Sequence, residues 1–223
     1  MLTLDTSKAR SADERNTSIT ETGKYIGTIT RAEKLLSKNK TEGLGLSFRA
    51  DDGSTSNYLD IWIRKDNGDE LFGIKTVNAL MACLKLRKAE EGQIECEKWD
   101  RDAGAMVKVR VDGYPEIMGK RIGLLLQQSI ETDQNGKDQE RIGIYGVFQP
   151  DTELTASEVL DGKTTPEKLP KMLQALMANP VRDNRKNKGS APSPSAPQPS
   201  GFGGMDDEIP FMNPYFGRRA YVI

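Results

Sequence analysis

The run Tyr58 to Arg64 reads Tyr-Leu-Asp-Ile-Trp-Ile-Arg. In an extended chain successive side chains point to opposite faces, so Leu59, Ile61 and Ile63 share one face and Tyr58, Asp60, Trp62 and Arg64 share the other. The aliphatic face is a core face. The opposite one offers two aromatic rings, on which planar bases can stack, and a guanidinium for a phosphate. The alternative is that Trp62 is covered by a loop or by a second subunit, since large exposed aromatics call for an explanation. Leu44, Leu46 and Phe48 alternate with Gly45, Ser47 and Arg49 in the same way, which sets Arg49 on a small and polar face. In Met106 to Val111, Lys108 and Arg110 lie opposite Val107, Val109 and Val111. They are either phosphate contacts or ordinary solvated strand cations. Trp99 and Tyr145 are secondary candidates for stacking.

A second constellation stands near the other end of the chain. Asp206, Asp207 and Glu208 precede Ile209, Pro210 and Phe211. Three carboxylates followed by an apolar end make a short two-part ligand, one part to be steered by charge and the other to be pocketed. Six residues cannot fold alone. Ile209 and Phe211 are therefore either buried against their own domain or offered to a partner.

Enzyme chemistry finds little to work with, and no catalytic residue is assigned. There is no histidine, which removes the commonest general base, zinc ligand and triad member. Gly43-Leu44-Gly45 lacks the rest of a dinucleotide fingerprint and leads into a strand. Gly113 to Lys120 has one residue too many for a phosphate loop, with Arg121 where Ser or Thr belongs. The carboxylates of Asp51, Asp52, Asp100 and Asp102 sit at turns, where solvated turn chemistry accounts for them. Cys83 and Cys96 are far apart with no CxxC, so they form neither a zinc site nor a disulfide framework and read as buried thiols. No metal and no cofactor is expected.

The 223 residues are 29% charged with a formal net charge of -1, and the mean hydropathy is -0.61 with a pI near 5.8. One compact domain with polar tails fits these values. A strongly basic footprint is absent, so any contact with nucleic acid must come from local patterning. Met1 to Leu4 runs directly into polar residues, leaving no signal peptide or membrane span. The expected location is the cytoplasm, and no membrane partner is expected.

The elements that must position these residues follow from periodicity. Residues 1–22 read as a flexible arm in which Ile19 could add a short strand. Strands are predicted at Lys24 to Glu33, Leu44 to Arg49, Tyr58 to Arg64, Gln93 to Trp99, Met106 to Val111, Ile122 to Gln128 and Arg141 to Phe148. Asp51-Asp52-Gly53 and Asn135-Gly136 supply hairpin turns. Ile74, Val77, Leu80, Met81 and Leu84 predict an amphipathic helix from Leu71 to about Leu86. Thr155 and Glu158 are spaced as a capping box, and Leu169, Met172, Leu173, Leu176 and Met177 give a second helical stripe. That stripe can dock on the body of the domain or pair with another subunit, which leaves a homo-oligomer open. Composition then turns to Ser, Pro and Gly, a linker reaching roughly 25 to 30 Å. The resulting partition is an arm at 1–22, a domain at 23–150, a helical segment at 151–180, a disordered linker at 181–204 and an acidic tail with an extension at 205–223.

Three strands, a helix, then further strands is the element order of an oligonucleotide/oligosaccharide-binding fold, a five-stranded Greek-key barrel with one helix between strands 3 and 4. The class expected is thus mainly β. Gly23-Lys24-Tyr25-Ile26-Gly27, Tyr58-Leu59-Asp60-Ile61-Trp62, Glu97-Lys98-Trp99-Asp100, Met118-Gly119-Lys120 and Glu153 to Glu158 together resemble bacteriophage or prophage single-stranded-DNA-binding proteins. The likeness covers roughly Lys24 to Asn179. Asp206 to Phe211 is similar to the acidic tail of the bacterial single-stranded-DNA-binding proteins. The resemblance implies a protein that coats single strands in phage replication or recombination within a bacterial host. It also implies that Asp206, Asp207, Glu208, Ile209, Pro210 and Phe211 recruit host or phage replication and recombination proteins. The similar tails end at the Phe, whereas here Met212 to Ile223 follow, with Tyr215, Phe216, Arg218, Arg219 and Tyr221 among them. Without DNA affinity, the same features suit a protein–protein adaptor.

Overall fold

The computed structural model describes residues 18–100, 104–133 and 135–185. The chain divides into two units, Met1–Asn187 and Lys188–Ile223, and all described residues belong to the first. Asp206 to Phe211 lie outside the described residues, as do residues 1–17 of the expected arm.

Eight strands form one mixed sheet: β1 (Gly23–Leu36), β2 (Glu42–Ala50), β3 (Thr55–Arg64), β4 (Gly92–Asp100), β5 (Ala105–Gly113), β6 (Arg121–Thr132), β7 (Asp138–Phe148) and β8 (Val181–Asp183). Among the described residues three helices accompany them: α1 (Gly73–Cys83), α2 (Ala156–Leu160) and α3 (Lys168–Ala178). The expectation of a mainly β domain with a helix after the third strand holds. Each of the seven strands placed by periodicity is found, with β8 added, whereas the closed five-stranded barrel is not. Neighbours run β3-β2-β1-β5-β4, with β6 pairing β1, β7 and β8. Among the described residues no ladder joins β3 to β7, so the sheet does not close.

Long β1 explains the branching. Its first half, Gly23 to Thr28, pairs antiparallel with Ile122 to Leu126 and Arg121 of β6, while its second half pairs with β2 and touches β5 at Glu33 and Gly113. A register shift between Ile29 and Arg31 leaves Thr30 as an extra residue. Such a bulge reverses the alternation. Ile29 and Ala32 therefore enter the core, while Arg31 and Glu33 turn to the other side of the sheet. A plain strand would have put 29, 31 and 33 on one face.

The main core gathers Ile29, Leu44, Leu46, Phe48, Leu59, Leu80, Ile122, Leu124 and Leu126. Helix α1 contributes Leu80 and Cys83, and ends where Lys85 takes a left-handed φ of 57°, a position glycine usually fills. A smaller cluster sets Leu169 and Leu176 of α3 against Leu125 and Phe148. An 11-residue helix is marginal by itself, and burying two leucines stabilises its docking by about 3 to 6 kcal/mol. The open choice for that stripe is thus resolved towards docking on the chain's own sheet.

Two boundaries differ from expectation. Val181 to Asp183, read as the start of a linker, form β8, parallel to Gln128, Ser129 and Ile130 of β6. At the other end Ile19 is buried, and its N–H donates to the Thr55 carbonyl at 2.8 Å. The end of the arm is therefore tied down at Ser18 to Thr20.

Candidate nucleic-acid interface

The floor of the candidate site is β2. Gly43, Gly45 and Ser47 lie across from Trp62, Asp60 and Arg31, with pairings Gly43↔Trp62, Gly45↔Asp60 and Ser47↔Arg31. The glycines leave room that side chains from the neighbouring strands use. A Cβ on Gly43 would stand 2.8 Å from Cε3 of the Trp62 ring, and one on Gly45 would stand 3.0 Å from the Leu35 side chain. Trp62 therefore rests on Gly43.

Tyr58 sits at a second irregularity. Leu46 pairs with Leu59 and Phe48 with Ser56, so Asn57 and Tyr58 together oppose Ser47 alone. Tyr58 has a φ of 62°, a conformation that costs an aromatic residue of order 1 to 3 kcal/mol. The bulge aims its ring outward. Tyr58 is 59% exposed and Trp62 38%, while Leu59 and Ile61 between them are buried. The two-faced reading of this strand is what the structure shows.

Beneath the rings lies a charged network. Arg31 is only 4% exposed. One guanidinium nitrogen donates to Glu33 at 3.2 Å, another donates to the Leu46 carbonyl at 3.4 Å and lies 3.9 Å from Asp60, and the Cζ is 5.1 Å from the centroid of the Tyr58 ring. Lys98 of β4 donates to the other Glu33 oxygen at 2.6 Å. Two cations and two carboxylates thus offset one another, which buried charges require. The Arg31 Nε has no hydrogen-bond partner among the described residues. Burial pushes the Asp60 carboxyl above its usual range, against the pull of Arg31.

The rings open onto a cleft of about 1070 Å³ between β3 and β7. Tyr58, Asp60 and Trp62 line one wall, Glu140 and Arg141 the other, and Phe72 stands at the end where α1 begins. Arg141 lies 3.6 Å from Glu131, and Glu140 accepts from Gln128 at 2.9 Å. The cleft is therefore aromatic, and its walls carry more carboxylates than cations, Asp60, Glu131 and Glu140 against Arg141.

The other cations are distributed unevenly. Arg64 is exposed beyond Trp62, 3.8 Å from Glu42. Arg49 is exposed at the end of β2 and pairs with no carboxylate among the described residues. Lys108 and Arg110 are not brought to the same place. They face Glu97 and Glu95 across the β4–β5 ladder, and Lys108 is 3.9 Å from Glu95. The opposite side of that hairpin, with Ile94, Cys96 and Lys98, is the one turned to Glu33. Tyr145 is exposed on β7 at an irregularity in its pairing with β6, and the side chain of Trp99 lies outside the described residues.

Arg31, Arg141 and Phe72 join the site without standing out in the sequence. The Thr30 bulge hides Arg31, and Phe72 falls at the start of a helical stripe where a core role is the plain reading. Among the described residues no three His, Cys, Asp or Glu side chains gather as metal ligands, and no helix is long and apolar enough to cross a membrane. No family model matches the chain, and no curated protein matches it.

Proposed function

We propose that this protein binds single-stranded DNA by stacking bases on Tyr58 and Trp62 in the cleft between β3 and β7, and that it performs no chemistry on the strand. The observation that carries this reading is the pair of exposed rings on one wall of one cleft, with Arg31 beneath the first and Gly43 beneath the second. Every base has a face to stack, so such a wall tolerates any sequence. The strand order supports the reading as well. If β4 and β5 are an inserted hairpin, then β3-β2-β1-β6-β7 with α1 between the third and fourth strands follows the plan of an oligonucleotide-binding barrel, whose ligands cross the second and third strands. The resemblance to phage single-stranded-DNA-binding proteins points the same way, towards coating of single strands in replication or recombination. On that resemblance alone, Asp206 to Phe211 recruit the partner proteins.

One observation favours the adaptor instead. Carboxylates at Asp60, Glu131 and Glu140 line the cleft, and between the bridges at Thr55 and Arg64 the middle of the β3 edge joins no further ladder among the described residues and offers backbone groups to an extended peptide. Fluorescence anisotropy of a labelled thymidine oligomer, against a matched duplex at low and moderate salt, separates the two. Preference for the single strand supports the coating function. No binding to either form would leave the adaptor.

A further inference from the structure

Phe72 is 78% exposed, the most exposed of the aromatic rings that line the cleft. Its place is set by the backbone. Arg64 and Glu70 form an antiparallel bridge, and the Leu71 N–H donates to the Ile63 carbonyl at 2.9 Å. The extended register ends there, because Phe72 already takes helical dihedrals, φ -53° and ψ -32°, at the start of α1. Gly73 then lets the helix start press against the strand, since a Cβ there would stand 2.2 Å from the Trp62 carbonyl oxygen. Phe72 is thus carried at the end of the cleft by the backbone contacts of its neighbours Leu71 and Gly73 with Ile63 and Trp62. Lys75, one helical turn on, places its ammonium 5.4 Å from the centroid of that ring. Among the described residues Lys75 pairs with no carboxylate.

Resting on the reading above, we infer that Phe72 is a third stacking position and Lys75 its phosphate contact, so that the bound strand runs along the edge of β3 from Tyr58 past Trp62 to the start of α1. Three features recommend a nucleic-acid base as the occupant. The ring lines the same cleft as Tyr58 and Trp62, its cation pairs with no carboxylate among the described residues, and a Phe this exposed adds little to the core. The Lys75 ammonium covers one side of the ring, so a base stacked on the other brings its phosphate within reach of a cation.

The test is a series of labelled thymidine oligomers of increasing length, read by anisotropy with the wild-type chain, Phe72→Ala, Phe72→Trp, Lys75→Gln and Trp62→Ala. Phe72→Ala is expected to weaken binding by about 5- to 100-fold on long oligomers and to leave the shortest ones that bind unchanged, because those reach only Tyr58 and Trp62. Phe72→Trp should restore the affinity, and Lys75→Gln should flatten the salt dependence by about 0.7 in log–log slope. An exposed side chain is being removed, so the thermal midpoint should not move. If Phe72→Ala binds every length as the wild type does while Trp62→Ala binds weakly, the third position is wrong and the stacking site stands. Failure of the wild-type chain to bind any oligomer would overturn both.

Discussion

The ring of Tyr58 lies over the buried guanidinium of Arg31, 5.1 Å from Cζ to centroid, so that a cation holds the inner side of an exposed aromatic. A contact of this kind is worth about 0.5 to 2 kcal/mol. It fixes the orientation of a ring whose backbone is already in a left-handed conformation. Replacing Arg31 by Met leaves Glu33 and Asp60 with only Lys98 to offset them, and we expect a loss of about 3 to 5 kcal/mol in urea unfolding. Tyr58→Leu, which removes only the ring contact, should lose about 0.5 to 2 kcal/mol. Equal stability of Arg31→Met and the wild type would mean that the network is inert.

Gly43 controls Trp62. An alanine methyl there would meet the ring at 2.8 Å, and the ring must lift. Gly43→Ala should shift the tryptophan emission of Trp62 and weaken single-strand binding, with Trp99→Phe as the background that isolates the signal. Trp62→Ala should weaken binding by about 1 to 3 kcal/mol with the fold intact. An unchanged spectrum in Gly43→Ala would show that Trp62 does not rest where described.

The scarcity of cations on the cleft walls bears on salt. Two or three phosphate contacts at about 0.7 each give a log–log slope of about -1.4 to -2.1, well short of a strongly basic binder. A slope of -5 or steeper would require cations other than those gathered here.

Glu158 joins two helices. One carboxylate oxygen accepts from the Thr155 N–H at 2.9 Å and the Thr155 hydroxyl at 2.8 Å, completing the capping box of α2. The other accepts from the N–H groups of Glu167 and Lys168 at 2.8 Å, at the start of α3. Burial alone would raise its pKa, but these four donors hold it down to about 2 from the ordinary 4.5. The stabilisation is therefore complete above about pH 4.5 and is lost as pH falls towards 2. Glu158→Gln turns an amide NH2 towards N–H donors. We expect a loss of about 2 to 3 kcal/mol at neutral pH, with the gap to the wild type closing in acid. A gap independent of pH would show that the charge is irrelevant.

Much of this is legible in the chain itself. Period-two alternation finds the two faces of Tyr58 to Arg64, and the Thr155–Glu158 spacing finds the capping box, because both depend on neighbours in sequence. The network under Tyr58 does not announce itself. It depends on one extra residue at Thr30, and a bulge has no compositional mark there. Lys108 and Arg110 look like the cations of a binding face until Glu95 and Glu97 are found across the ladder, a pairing set by hairpin register. Val181 to Asp183 reads as linker because three residues carry no period, and only the exposed edge of β6 makes them a strand.

The gap between β3 and β7 has a mechanical meaning. A barrel sealed by a ladder must rupture backbone hydrogen bonds to widen. Here, among the described residues, none crosses the seam, so the walls can part by flexing the sheet about β1 and close again without re-registering a strand. The aperture is then expected to behave as a spring rather than a latch, stiffened by the segment from Ile19, bonded to Thr55, to Thr22, bonded to Gln128.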